Sequence, residues 1–241
     1  MSAHRFFVPP EAITESGAVI QADDARQIVQ VLRLGPGETI HVLDDTGAER
    51  VCVIEQASPN RVIVRCVDIA YPDTEPHSRV WVYQALAKGD RVETALQLAT
   101  QAGAAGFGVF DATRCVVRLS AQDGDRKAVR WRRVIKEAAE QSHRARLPRW
   151  LGFGPLARQI EGASGIRVVL HPDPSAPLLT ALRASAPANA EWSLFIGPEG
   201  GFTDTEVAHA AAAGAQVATL MPRVLRTEAA AFAAVVQLVS A

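Results

Sequence analysis

The stretch WSLFIGPEGGFTDTE, residues 192–206, joins an apolar run to a glycine-rich loop and then to a helix start. Its first five residues indicate a buried strand, because the run is too short for a core helix and a Gly-Pro pair ends it. Thr203 precedes Glu206 by three residues, the spacing of a capping box. The stretch therefore predicts a strand, a loop and a helix, with glycines that let a ligand approach backbone amides at a sheet edge. An ordinary tight turn between a strand and a helix would show the same pattern.

Outward from this stretch, strand-like and helix-like segments alternate from Arg79 to the end of the chain. Such alternation is typical of βαβ units around a largely parallel sheet. The predicted strands are 79–86, 107–110, 150–153, 167–171, 192–196 and 216–220. The predicted helices are 92–102, 125–144, 176–184, an alanine-rich helix that Gly214 stops, and a last helix from about Thr227. The second half of the chain is therefore expected to be an α/β domain.

The first region, to about residue 70, has a different pattern of short β-like runs separated by turn sequences. These runs are residues 5–8, 39–43, 50–54 and 61–69, and one helix, residues 23–33, interrupts them. They predict a small antiparallel barrel. The segment YPDTEPH, residues 71–77, has two prolines and no periodicity, so we expect a boundary there. The predicted domains are residues 1–72 and 77–241.

Composition limits the class of protein. The chain of 241 residues is 48% hydrophobic and 21% charged, as in ordinary soluble globular proteins. It has no leader-like apolar segment and no run long enough to cross a bilayer, so we expect a cytoplasmic protein without membrane contact. Cys52, Cys66 and Cys115 form no C-x-x-C pair, and no His lies at metal-ligand spacing from other ligand residues, so neither a disulfide framework nor a metal site is predicted.

Charge is distributed unevenly, although the net charge is only -1. Residues 76–149 hold 14 Lys and Arg against seven Asp and Glu. Most of the excess lies in RKAVRWRRVIKEAAEQSHRARLPR, residues 126–149, where an apolar seam that includes Trp131 and Ile135 leaves the basic side chains on an outer strip. A solvated helix face would explain this pattern. A strip that binds phosphates would explain it equally well.

Three predicted strands end in loops of unusual composition, at residues 168–172, 194–201 and 218–226. Because parallel strands present their carboxyl ends at one edge, these loops are expected to form a ligand crevice. No G-x-G-x-x-G or P-loop pattern is present, so standard dinucleotide and nucleoside triphosphate sites lack support. Arg226 lies where a helix begins, a position that the helix dipole makes unfavourable for a cation, and this favours a functional role.

The segments HRFFV, VLRLGPGE, TRCVVRL, RWRRVIKEAAEQSHRARLP, VVLHP, LFIGPEGGFTDTE and PRVLRTEAA together resemble the RsmE family. Its members are bacterial 16S ribosomal RNA (uracil-N3) methyltransferases of the SPOUT class. The resemblance covers nearly the whole chain. It implies an N-terminal PUA-like β-barrel that binds RNA, and a C-terminal SPOUT α/β domain with a mostly parallel sheet and a deep trefoil knot. It also implies S-adenosylmethionine (SAM) as cofactor, 16S rRNA of the small ribosomal subunit as partner, and a homodimer.

The resemblance also implies roles for individual residues. Those at cofactor-pocket positions are Leu170, His171, Ile196, Gly197, Pro198, Glu199, Gly200, Leu220, Val224, Leu225, Thr227 and Ala229. Arg226 is the candidate for stabilising an anionic uracil, and Glu199 or Glu228 for a base or an orienting group. For both glutamates, a purely structural role is an equal alternative. The expected RNA contacts are Arg5, Arg33, Arg114, Arg118, Gln141, Arg144 and Arg146.

This chain departs from the family pattern at Gln27, at Gln101 and at Ala229, where a threonine is usual. Loss of that hydroxyl would remove one contact to the cofactor or to a neighbouring backbone group. Two other functions remain open at this point. A SPOUT ribose 2'-O-methyltransferase would share the cofactor site but usually lacks the barrel and the EAAEQ helix. A noncatalytic RNA-binding protein would explain the basic strip but not the glycine-rich loop.

Overall fold

The computed structural model describes residues 4–220 and 222–240, so Met221 of the loop MPRVLR lies outside the described residues. The chain forms two compact units. The first contains the residues up to Glu75 together with Ala139–Leu147, and the second contains Pro76–Ala138 and the residues from Pro148 onward. The predicted domain limits, 1–72 and 77–241, assign residues 139–147 to the second domain, whereas the compact units place them in the first.

The first unit is built on a five-stranded sheet of order β1-β3-β4-β5-β2. Its strands are β1 (Arg5–Phe7), β2 (Gly17–Gln21), β3 (Thr39–Leu43), β4 (Glu49–Ser58) and β5 (Arg61–Ala70). The predicted antiparallel arrangement is wrong at one edge, since β1 pairs parallel with β3. Sequence reasoning also missed β2, because GAVIQ offers only two large apolar residues and no strict alternation. Ile20 and other alternate strand residues fill the core of this unit.

The predicted helix 23–33 is shorter and less regular than expected. It consists of α1 (Ala22–Arg26) and a π-helical turn, Gln27–Val31. Ala25 and Ile28 are fully buried, which explains why the helix packs on the sheet. Arg33 then adopts a left-handed backbone conformation with φ of 58°, so the helix cannot continue to that residue.

Residues 139–147, which begin in the last turn of the basic helix, are held within the first unit by hydrogen bonds. Glu140 accepts a bond from the Phe7 amide at 2.8 Å. Glu75 accepts bonds from the Ala145 and Arg146 amides at 3.1 and 3.2 Å and forms an ion pair with the guanidinium of Arg144. The motif EAAEQSHRARLP therefore has a structural role in this unit.

The second unit is built on a six-stranded parallel sheet of order β11-β9-β10-β6-β7-β8. Its strands are β6 (Arg79–Ala85), β7 (Gly106–Asp111), β8 (Arg149–Pro155), β9 (Ile166–Leu170), β10 (Glu191–Ile196) and β11 (Gln216–Ala218). Its helices are α2 (Arg91–Gln101), α3 (Ala121–Gln141), α4 (Leu156–Gly162), α5 (Leu179–Ser185), α6 (Asp204–Ala212) and α7 (Thr227–Val239). The predicted α/β class with a parallel sheet is confirmed. The trefoil knot stays a prediction.

The predicted apolar seam of α3 is confirmed, because Trp131, Ile135, Ala138 and Ala139 are buried while the basic residues from Arg126 to Arg133 are exposed. The Trp131 ring lies 5.6 Å from that of Trp150 on β8. Aromatic pairs at this spacing add to the gain from apolar burial. This packing holds α3 against β8, which is the edge strand opposite β11.

Three helix predictions in this unit differ from the structure. Helix α3 runs from Ala121 to Gln141 and not from residue 125 to 144. Helix α5 begins at Leu179 and not at residue 176, because Leu178 is extended and bridges to Thr219. Helix α4 was not predicted, because its seven residues, LARQIEG, are too few for an apolar period to be recognised. The prediction that three strand ends share one edge is confirmed, since β11, β9 and β10 are parallel neighbours.

All three cysteines are free thiols, and Cys52 and Cys115 are buried. Burial, reinforced by the neighbouring Cys66, raises the pKa of the Cys52 thiol to about 12. Within residues 4–220 and 222–240, no three His, Cys, Asp or Glu side chains group together as metal ligands would. The helices in the same ranges are all too short or too polar to cross a membrane.

Candidate active site

The loop after β10 ends in a complete capping box. The Thr203 hydroxyl accepts a hydrogen bond from the Glu206 amide at 3.2 Å, and the Glu206 carboxylate accepts one from the Thr203 amide at 2.8 Å. Glu206 also accepts a bond from the Thr113 amide at 2.7 Å. Partial burial acts to raise the pKa of Glu206, but these amide hydrogen bonds outweigh it and lower the pKa below 4.5. The capping box predicted from sequence is confirmed.

We expect Thr203→Ala to destabilise the protein by about 1 kcal/mol, the usual loss on removing such a cap. Chemical denaturation at pH 7 measures this, with the exposed Thr205→Ala as a matched control. Because folding lowers the pKa of Glu206, its contribution to stability is present above pH 4.5 and is lost as the pH falls below it. A Thr203→Ala protein as stable as Thr205→Ala would contradict this assignment.

A cavity of about 580 Å³ opens at the carboxyl edge of the sheet in the second unit. Its size is in the range typical of sites for small molecules and cofactors. The three loops after β9, β10 and β11 contribute most of its lining, as predicted. The lining residues are Arg91, Arg114, Leu170, His171, Pro172, Ile196, Gly197, Pro198, Glu199, Gly200, Gly201, Thr219, Leu220, Arg223, Val224, Leu225, Arg226, Thr227 and Ala230.

Eleven of the twelve residues predicted at cofactor positions line this cavity. The exception is Ala229, whose neighbour Ala230 lines it instead. Arg91 was missed in the sequence because only three strand ends were considered. Strand β6 lies beside β10, and the loop after it leads into α2, which begins at Arg91. The charged sequence KGDR after an apolar strand is the signal that could have identified this fourth loop.

Two of the loops are joined by a buried polar network centred on Thr227. Its hydroxyl donates to the Gly197 carbonyl at 2.7 Å and accepts from the side-chain amide of Gln84 at 2.8 Å. Gln84 lies on β6 and is fully buried. The network therefore fixes the start of α7 against the glycine-rich loop, and both segments line the cavity.

The glycine-rich loop passes too close to its neighbours for larger residues. A Cβ atom at Gly197 would lie 3.1 Å from the Phe202 ring, and one at Gly200 would lie 3.1 Å from Cβ of Arg114. Gly201 has φ of 68°, a left-handed conformation that favours glycine. Gly197, Gly200 and Gly201 all line the cavity.

Glu199 is engaged in hydrogen bonds with the loop that precedes α2. Its carboxylate accepts bonds from the Lys88 amide at 3.1 Å and from the Arg91 guanidinium at 2.5 Å. Partial burial acts to raise the pKa of Glu199, but the backbone hydrogen bonds and Arg91 outweigh it and lower the pKa. A weakly basic, ion-paired carboxylate is poorly suited to removing a proton. The contacts favour the structural alternative for Glu199.

The other catalytic candidates differ in their exposure to the cavity. Arg226 lines it, is exposed, and has no carboxylate partner within the residues that the structure describes. Glu228 does not line the cavity, and one of its carboxylate oxygens is buried without a hydrogen-bond partner in the described chain. The cationic residues Arg91, Arg114, Arg223 and Arg226 thus surround the cavity, with Glu199 as the acidic residue of its described lining. This charge suits an anion near Arg226.

The residues predicted to contact RNA fall into two groups. Arg5 is paired with Glu49 at 2.9 Å, Arg144 is buried against Glu75, and Arg146 donates to the Asp45 and Thr46 carbonyls at 2.8 and 2.9 Å. These contacts favour structural roles within the first unit. Arg146 is nevertheless exposed, and so are Arg33, Gln141, Arg114 and Arg118, of which the last two belong to the second unit.

Known protein families match both units of the chain. The sequence model of an RNA methyltransferase domain matches residues 74–239, and that of an RNA methyltransferase PUA domain matches residues 20–66. The chain belongs to the RNA methyltransferase family. The first match contains every residue of the cavity, and the second runs from β2 to β5 of the first unit. The predicted family, with its PUA-like and methyltransferase domains, is confirmed.

Curated members of the RNA methyltransferase family resemble the whole chain. The ribosomal RNA small subunit methyltransferase E of Mycobacterium bovis is 36% identical over 96% of this chain and 89% of its own length. That of Bacillus subtilis is 30% identical over 88% of this chain and 85% of its own. A methyltransferase from Legionella pneumophila, solved with bound SAM, has a TM-score of 0.87 at 27% identity, covering 99% of this chain and 97% of the other.

Proposed function

We propose that this protein methylates N3 of a uridine in 16S rRNA of the small ribosomal subunit, with SAM as methyl donor. The observation that carries the proposal is the cavity, because eleven residues expected at SAM-binding positions line it together. The names of the relatives, ribosomal RNA small subunit methyltransferase E, support the substrate class. The SAM bound to the similar Legionella protein supports the cofactor.

The chemical character of the lining fits SAM. Leu170, Ile196, Leu220 and Leu225 supply apolar contact suitable for an adenine ring. The glycine-rich loop supplies backbone groups for polar atoms, and Nδ1 of His171 is a buried polar atom without a partner in the described chain. The site therefore offers both the apolar surface and the few polar groups that cofactor sites combine.

Bound SAM would supply a methyl group on a positively charged sulfur. Transfer of that methyl group to N3 would leave the sulfur with the electron pair of the broken bond, and the N3 proton would pass to solvent. Uracil carries negative charge once N3 is deprotonated. Arg226, a cation without a carboxylate partner at the cavity, would stabilise that charge. Glu199 would hold the glycine-rich loop in place, since hydrogen bonds from Lys88 and Arg91 bind its carboxylate and lower its pKa.

Glu228 would act as an orienting group for the loop that carries Arg226, because it follows Thr227 in the first turn of α7 and does not line the cavity. We also propose that RNA contacts come from the exposed residues Arg33, Gln141 and Arg118. The proposed compartment is the cytoplasm, where ribosomal subunits are available.

We propose a homodimer as the active form. Apolar side chains of the second unit that are exposed in a single chain support this, since Val224, Leu178 and Phe232 have exposed fractions of 79%, 44% and 40%. Contiguous apolar patches often mark interfaces, so these three side chains are candidates for the dimer contact. Light scattering during size-exclusion chromatography measures the mass, and a monomer of 25.8 kDa at working concentration would contradict the proposal.

Calorimetric titration with SAM tests the first part of the proposed function. Failure of the folded protein to bind SAM would indicate a noncatalytic RNA-binding protein. Mapping the modified nucleoside on small subunits from a deletion strain, after incubation with the purified enzyme and SAM, tests the second part. A new N3-methyluridine supports the proposal, whereas a 2'-O-methyl group would identify a ribose methyltransferase.

A further inference from the structure

The glycine-rich loop is held by arginines from two directions. On one side, Arg91 and the Lys88 amide bind the carboxylate of Glu199. On the other side, Nη1 of Arg114 donates to the Gly200 carbonyl at 3.0 Å and to the Phe202 carbonyl at 3.1 Å. Two segments of the second unit therefore hold the loop, one at residue 199 and the other at residues 200 and 202.

Arg114 is anchored on the segment that follows β7. The preceding amide, from Thr113, donates to Glu206 at 2.7 Å, and Glu206 is the residue that completes the capping box of α6. The Gly200 backbone lies against the Arg114 side chain so closely that a Cβ atom there would be 3.1 Å from Arg114 Cβ. Backbone and side-chain contacts thus hold this segment and the glycine-rich loop together.

A guanidinium that bridges two carbonyls contributes more than a neutral hydrogen bond would. Hydrogen bonds to a charged group are roughly twice as strong as those between neutral groups. Both carbonyls belong to a loop rich in glycine, the residue type with the most backbone freedom to lose. Without this bridge, the loop would sample more conformations, and a ligand would have to order it on binding.

We propose that Arg114 is a positioning residue for the cofactor and not a contact to RNA. It fixes the Gly200 and Phe202 carbonyls, and through them the part of the cavity wall formed by Gly197–Gly201. This inference rests on the proposed binding of SAM in the cavity, and it replaces the RNA contact that family resemblance implies for Arg114. Arg118, four residues further along, is the matched comparison because it is exposed and its partners, the Thr113 carbonyl and the Asp111 carboxylate, lie outside the glycine-rich loop.

The test measures SAM affinity by calorimetry, KM for SAM and kcat, and the dependence of RNA affinity on salt. We expect Arg114→Ala to raise the dissociation constant and KM for SAM by about tenfold, to change kcat by less than about threefold, and to leave the salt slope unchanged. We expect Arg118→Ala to leave SAM binding unchanged and to lower the salt slope by about one. Arg114→Lys, measured in the same way, should fall between wild type and Arg114→Ala, because an ammonium lacks the planar fork.

Thermal unfolding shows whether each variant is folded. If Arg114→Ala is not folded, Arg114→Lys alone is used to test the proposal. Unchanged SAM affinity in the folded Arg114 variant, or a salt slope reduced by about one, would overturn the positioning role. Absence of SAM binding by the wild-type protein would overturn the proposed function as well. Wild-type binding with an unaffected variant would overturn only the role of Arg114.

Discussion

Replacing Arg226 by alanine should lower kcat about 100- to 1,000-fold while changing the dissociation constant of SAM by less than about threefold. The large effect is expected because negative charge on uracil is greatest as N3 loses its proton and attacks the methyl group. A cation placed beforehand at that position stabilises the transition state more than the bound ground state. Arg226 is the candidate because it lines the cavity and has no carboxylate partner in the described chain.

The measurement is single-turnover methyl transfer to small ribosomal subunits, together with calorimetric titration of SAM. Arg158→Ala is the matched control, since Arg158 is also an exposed arginine of the second unit but does not line the cavity. Arg226→Lys should recover part of the rate, because it restores the charge without the planar geometry. Normal turnover by Arg226→Ala would refute the role, and a large loss of SAM affinity would assign Arg226 to the cofactor instead.

Much of the site could be predicted because parallel strands place the loops at their carboxyl ends along one edge of the sheet. Once residues 192–206 indicated a strand, loop and helix, the loops after 170 and 218 were expected at the same edge. The individual cofactor positions, however, came from family resemblance, since an apolar residue such as Leu225 carries no chemical signal of its own. Ala229 shows the limit of such a transfer, because the cavity is lined by Ala230 instead.

The roles of the charged residues were harder to predict because charge counting does not identify partners. Arg144 belongs to a strongly basic segment, yet it is buried against Glu75, which lies 69 positions earlier in the chain. Arg114 similarly donates to carbonyls 86 and 88 positions later. Whether an arginine faces solvent, a phosphate or a backbone carbonyl depends on long-range contacts, and a local sequence pattern does not record these.

The sequence also did not predict the backbone geometry of one irregular helical turn in the first unit. The sequence from Asp23 to Arg33 has an apolar face with helical spacing, but the backbone widens to a π-helical turn at Gln27–Val31. Periodicity assumes one constant hydrogen-bond spacing, so a widened turn changes which residues face the sheet. The sequence places Ile28, Val31 and Leu32 on one apolar face, but of these only Ile28 is fully buried, whereas Val31 is 72% exposed.

The second large effect is expected for Thr227→Val, which keeps the shape of the side chain and removes its hydroxyl. The Gly197 carbonyl would lose its donor, and the side-chain amide of the fully buried Gln84 would lose an acceptor. Each buried polar group left unsatisfied costs about 1–3 kcal/mol, so we expect a loss of about 2–4 kcal/mol and a decrease in Tm of about 5–15 °C. Thermal unfolding by calorimetry measures this.

The same substitution should weaken SAM binding about tenfold or more, because Thr227 joins the glycine-rich loop to the start of α7 and both line the cavity. Thr227→Ser retains the hydroxyl and should restore both stability and affinity, whereas Thr205→Val, at an exposed position of α6, should change neither. If Thr227→Val were as stable as Thr227→Ser and bound SAM equally well, the network would not hold the two loops. A stable Thr227→Val protein with weak SAM binding would instead make the hydroxyl a direct contact to the cofactor.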